Sequence, residues 1–197
     1  MTTTKGTTDT PIYQIKVTLE GSKPPIWRRL LVRSDITLAD LHRILQAAFG
    51  WGDCHLHQFI VGETYFGVPD PDYDSYMKMH DERKVTLRQI APGEGKFRYE
   101  YDFGDSWLHQ VLVEKLLPPE PSQDYPLCVK GRRACPPEDV GGIWGYYYFL
   151  EAIADPDHEE HDEYLEWIGG EFDPEAFDLE EINQALRALQ QRQKNRR

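Results

Sequence analysis

Asp102 and Asp105 flank Phe103-Gly104 inside the run Phe97-Arg-Tyr-Glu-Tyr-Asp-Phe-Gly-Asp-Ser-Trp-Leu-His109, which puts two carboxylates on one tight turn. Carboxylates held that close can offer oxygen ligands to a divalent cation. They can also divide acid and base work if their surroundings split their proton affinities. The plainer reading is that an aspartate beside a glycine satisfies turn amides. Further along, Pro136-Pro-Glu-Asp-Val-Gly-Gly142 adds Glu138 and Asp139, with Asp139 placed to cap a following helix. Paired glycines before a helix ordinarily cradle an anion, but neighbouring carboxylates repel one. A cation, an amine or a basic side chain is the better guest.

Two ligand sets follow from these residues. His55-Leu-His57 places both imidazoles on one face of an extended chain, because side chains repeat every second residue. A metal-dependent hydrolase, such as one acting on phosphodiesters, would take His57, Asp102, Asp105 and His109 as ligands and Glu138 as general base for metal-bound water. The competing set is an acidic and aromatic groove of Tyr101, Asp102, Asp105, Trp107, Glu138 and Asp139. Ring faces and carboxylates together suit a cationic guest, and no cofactor is then implied. Other patterns are weaker. Cys128 and Cys135 lack the spacing of a zinc knuckle, and His158-Glu-Glu-His161 lacks the intervening base and spacing of zinc peptidases. Phosphate-loop, dinucleotide-glycine and nucleophile-elbow signatures are absent from the sequence.

The elements that must position these groups are legible from periodicity. Tyr13, Ile15, Val17 and Leu19 alternate with polar residues and predict a strand, which Gly21-Ser-Lys-Pro-Pro25 interrupts. Ile26–Val32 resumes as its hairpin partner, with Arg28 on the apolar side. Thr37-Leu-Ala-Asp40 fits a capping box, and Leu38, Leu41, Ile44, Leu45 and Ala48 give the helix one apolar face, ended by Gly50. His57–Val61 and Thr64–Gly67 predict a short strand pair; Pro69–Asp81 reads as a polar surface excursion, and Lys84–Ile90 is ambiguous. Phe97, Tyr99, Tyr101 and Phe103 put four aromatics on one strand face, and Leu108–Leu117 returns the chain. Past Gly142 the period becomes helical, with helices expected around 144–153, 157–167 and after a capping Asp178.

This pattern, strand-strand-helix first and a helical group last, predicts an α+β fold with a mixed, mostly antiparallel sheet. The expected organisation is a leader over 1–11, a single domain over 12–190 whose helical part spans about 141–190, and a basic tail over 191–197. At 40% hydrophobic and 12% aromatic residues the 197-residue chain can bury a real core. No apolar run approaches the roughly 20 residues of a membrane span, and no secretory segment stands at the N-terminus. With three cysteines, the expectation is a reduced, cytoplasmic protein. The net charge of −12 argues against phosphate backbones as partners, which demand a basic footprint. Lys130, Arg132, Arg133 and the tail Arg192-Gln-Lys-Asn-Arg-Arg197 are the only basic clusters. The expected partner is a basic peptide or protein, or a cation.

Four segments, Ile26-Trp-Arg-Arg29, His55-Leu-His-Gln-Phe59, Tyr99–His109 and Cys135-Pro-Pro-Glu-Asp-Val-Gly-Gly142, resemble the plasmid pRiA4b ORF-3-like family. The resemblance covers roughly Tyr13 to Leu189. It implies an α+β fold and an association with mobile DNA, since such relatives occur on plasmids and as insertion-element passengers, sometimes under a resolvase-like label. It brings no established reaction with it.

Overall fold

The structure, a computed structural model, describes residues 10–70 and 78–194. Alternation of buried and half-buried residues makes β1 (Ile12–Leu19) and β2 (Trp27–Arg33) an antiparallel hairpin. Then come α1 (Leu38–Phe49), β3 (His57–Val61), β4 (Thr64–Gly67) and β5 (Met79–Asp81). A 3-10 turn at Glu82–Lys84 leads into α2 (Leu87–Ile90), β6 (Gly95–Tyr101), β7 (Trp107–Leu117) and β8 (Leu127–Arg132). Three helices close the chain: α3 (Gly142–Ala154), α4 (His161–Ile168) and α5 (Leu179–Lys194). The eight strands form one sheet in the order β5-β4-β3-β6-β7-β1-β2-β8, antiparallel except for the β4–β5 pair. The fold is α+β with a mixed sheet and a C-terminal helical group, as the periodicity predicts.

One face of the sheet carries the core. Ile15, Val17, Leu30, Val32, Phe59, Tyr99, Tyr101, Trp107 and Val111 are fully buried there beside Leu38, Leu41, Ile44 and Leu45 of α1. The other face stays wet, as antiparallel sheets permit. There Arg29 forms a two-point ion pair with Glu114, and Lys16 and Arg29 both lie over the Trp27 ring. The α1 cap forms as its sequence dictates: the Thr37 hydroxyl accepts from the Asp40 amide, and Gly50 turns left-handed to end the helix.

Four expectations need correction. Residues 79–81 of the predicted surface excursion are strand β5; part of that excursion, 71–77, lies outside the described residues, as do 1–9 of the leader and 195–197 of the tail. β8 was hidden by its charge, because Lys130-Gly-Arg132 reads as solvated loop. It pairs antiparallel with β2, and Asn183 of α5 satisfies both the amide and the carbonyl of Cys128. Phe103 lies past the end of β6 and is exposed, so only Phe97, Tyr99 and Tyr101 share the buried strand face. Arg133 points inward, onto the carbonyls of Pro174 and Pro24, whereas Lys130 and Arg132 of the same basic cluster stay exposed, Arg132 facing Glu175.

Candidate functional site

Three loops meet at one end of the sheet. Pairing of β3 with β6 continues past the strands, where the Asp102 amide donates to the Leu56 carbonyl at 2.8 Å, bringing His55 to the hairpin turn. The third loop, 136–141, is held by Trp51, whose indole Nε1 donates to the Pro136 carbonyl at 3.1 Å, and by Glu138. The Glu138 carboxylate accepts from the Tyr101 hydroxyl at 2.5 Å and from the Gly52 amide at 3.1 Å. The same hydroxyl accepts from the Cys54 amide at 3.1 Å, so one buried tyrosine ties all three loops. Burial first, and then the Glu138 carboxylate, push the Tyr101 hydroxyl well above its ordinary pKa, so it stays a donor.

The hairpin turn and the double-proline loop lie side by side. Asp105 accepts from the Gly141 amide at 3.1 Å. A Cβ on Gly142, whose φ is +68°, would stand 2.5 Å from the Asp105 carbonyl oxygen, so only glycine fits. Asp102 and Asp139 both adopt left-handed backbone conformations, with φ of 59° and 61°. One oxygen of Asp102 accepts from the Gly104 amide, as a turn aspartate does, and the other lies 3.7 Å from His55 Nδ1. His55 Nε2 lies 3.2 Å from Asp139, whose side chain is 71% exposed. Among the described residues no lysine or arginine pairs with Asp102, Asp105, Glu138 or Asp139.

The sequence profile of the plasmid pRiA4b ORF-3-like protein family matches residues 11–181. The chain belongs to that family. It is 40% identical over 178 residues to the uncharacterized protein y4hQ of Sinorhizobium fredii (strain NBRC 101917 / NGR234), covering 89% of this chain and 90% of that protein. It superposes on the crystal structure of MM3350, a protein of unknown function from Methanosarcina mazei Go1, with a TM-score of 0.80 at 36% identity. That match covers 88% of this chain and 97% of the other.

In this pRiA4b ORF-3-like chain the predicted residues divide. The loops that carry Asp102, Asp105, Glu138 and Asp139 touch: Asp105 accepts from the Gly141 amide, Asp102 and Asp139 both approach His55, and Glu138 turns inward to Tyr101 and Gly52. Tyr101 and Trp107 support them from beneath, because both are fully buried, and neither is a groove wall. The predicted metal set does not converge: among the described residues, the side chains close enough to share an ion are His55 with Asp102 and Asp139, and His42 with Asp53 and His57. His109 is enclosed by Phe49, Trp51 and Tyr99, donates from Nδ1 to the Trp107 carbonyl, and is pushed down to about 4 by burial. Glu138 holds two loops together. Asp139 does not cap α3; the N-cap is Gly141, and Asp105 supplies the side-chain acceptor from the neighbouring hairpin.

His42, Asp53 and Glu82 were missed from sequence, since a histidine on the inner face of an amphipathic helix looks like a break in the apolar stripe. His42 and His57 stack with ring centroids 3.4 Å apart and 2° between planes. His42 meets Asp53 through Nε2 at 2.7 Å and the Tyr99 hydroxyl through Nδ1 at 2.8 Å, while His57 meets Glu82 at 2.7 Å. Burial, and next the neighbouring His57, bring His42 down to about 4. Parallel rings aim their lone pairs along separate planes, so one ion cannot lie in both, and each of these contacts is already a hydrogen bond. This cluster braces α1 against β3 and β6.

Proposed function

We propose that the protein is a non-enzymatic binding module that docks a basic segment of a partner protein on the acidic surface formed by the hairpin turn and the double-proline loop. The observation that carries this reading is four carboxylates on two touching loops with no basic side chain paired to them among the described residues. Exposed apolar residues adjoin them in the chain: Leu56 at 67% exposure, Phe103, and Trp144 at 83% in the first turn of α3. Carboxylates beside open aromatic faces favour lysine and arginine through direct charge and ring quadrupole together. A net charge of −12 draws the same kind of partner from a distance and repels nucleic acid. The inward turn of Arg133 removes one of the three cations of the 130–133 cluster from the surface. No helix among the described residues is long and apolar enough to cross a membrane, and the three free cysteines suit a reducing cytoplasm. The family resemblance adds mobile elements as the setting in which such an accessory protein would act.

The test is titration with a short alternating arginine–leucine peptide, followed by Trp144 fluorescence and calorimetry. Saturable binding is expected, weakened about tenfold by Asp105→Asn with Asp139→Asn, and again by Trp144→Ala. Equal affinity for a glutamate–leucine peptide would refute the proposal.

A further inference from the structure

We infer that His55, Asp102 and Asp139 form a binding site for a divalent first-row transition ion at the base of the acidic surface. The inference rests on reading this pocket as a cation acceptor, and it names an ion as a second guest there. One imidazole nitrogen and one oxygen from each aspartate lie within 4.8 Å of one another. Two ligand atoms about 2.1 Å from one ion stand about 3.0–3.4 Å apart at right to tetrahedral angles. In the resting site the imidazole bridges the two carboxylates, with Nε2 3.2 Å from Asp139 and Nδ1 3.7 Å from Asp102, so a turn of the ring and a movement of the exposed Asp139 side chain are what gather one nitrogen and two oxygens around one ion.

Three further features separate this trio from an ordinary surface cluster. The Gly104 amide holds one oxygen of Asp102, which fixes the plane of the carboxylate and leaves the second oxygen toward His55. That is how outer hydrogen bonds orient ligating carboxylates. The Tyr101 ring meets the imidazole edge-on at 5.8 Å and sets its tilt. The ligands come from three different loops, so an ion would link them, whereas the His42–His57 stack has parallel planes and no shared lone-pair direction. Mixed nitrogen and oxygen donors select Zn2+, Co2+, Ni2+ or Mn2+ over Ca2+ or Mg2+, and the exposed side at Asp139 leaves positions for water.

The experiment is titration of the untagged, chelator-treated full chain with zinc(II) and with cobalt(II) chloride alone. One ion per chain should bind, with visible cobalt d–d bands and a raised melting temperature. Asp139→Asn, an exposed position where the fold is not at risk, should weaken binding at least tenfold, as should His55→Gln. Wild type and Asp139→Asn binding alike, or no saturable binding, would overturn the inference. Ion binding without peptide binding leaves this site standing and removes the docking role; peptide binding without an ion does the reverse.

Discussion

At the scale of single residues, the aromatic face that a sequence reader would place around a ligand is spent on packing, and histidines are buried with it. His42 and His109 both sit at about 4 in the folded chain, against about 6.5 for histidine in an unfolded one. Burial is the larger cause for each. Between those values the unfolded chain takes up protons that the folded chain refuses. Stability is therefore complete above about pH 6.5 and falls as the pH drops toward 4, by up to about 3 kcal/mol per histidine. Urea unfolding from neutral to mildly acidic pH should show a falling midpoint. His109→Gln should remove about half of the fall between pH 6.5 and 5, even if it lowers the starting stability. A midpoint indifferent to pH over that interval would mean that the imidazoles are reached by water.

At the scale of elements, the helix that follows the double-proline loop is capped from another part of the chain. α3 has no side-chain cap of its own; its Gly141 amide donates to Asp105 on the β6–β7 turn, and Gly142 lets the two backbones touch. Removing the acceptor should cost about 0.5–2 kcal/mol, the range for a lost helix cap. It should also free the first turn of α3 before the sheet loosens. Asp105→Ala is expected to lower the unfolding midpoint and to speed hydrogen exchange at the amides of 141–146, with β1 and β7 unchanged. Uniform acceleration would instead mean that Asp105 supports the whole fold. Sequence periodicity could reveal the helix here, but not its cap, because a contact from position 105 to 141 leaves no local signal. The same limit hid β8, whose charged face gave no alternation, whose ladder partner β2 lies about a hundred positions earlier, and whose Cys128 backbone is satisfied by Asn183 from α5.

At the scale of the whole molecule, what was legible and what was not divides along sequence distance. The β1–β2 hairpin, the Thr37 cap and the Asp178 cap, which accepts from the amides of Glu180 and Glu181, follow from neighbours in sequence. The partnership of β1 with β7, nearly a hundred positions away, does not, yet it fixes which face of the sheet is buried. The candidate site lies between these cases. Its acids could be named because turn glycines and prolines mark them, whereas the choice of His55 over His57 depended on how the chain bends before β3. The charge of the molecule sets the last prediction. With a net −12, and with acids from two adjoining loops beside open apolar residues, attraction of a basic segment combines a long-range field with short-range contact. Salt screens the first and spares the second, since the screening length shrinks from about 30 Å at 0.01 M to about 8 Å at 0.15 M. The association rate of the arginine–leucine peptide should therefore fall roughly tenfold or more over that range, while its dissociation rate changes little. Stopped-flow mixing at graded salt separates the two. An association rate indifferent to salt would put the contact on the apolar residues alone and leave the acidic surface without its proposed guest.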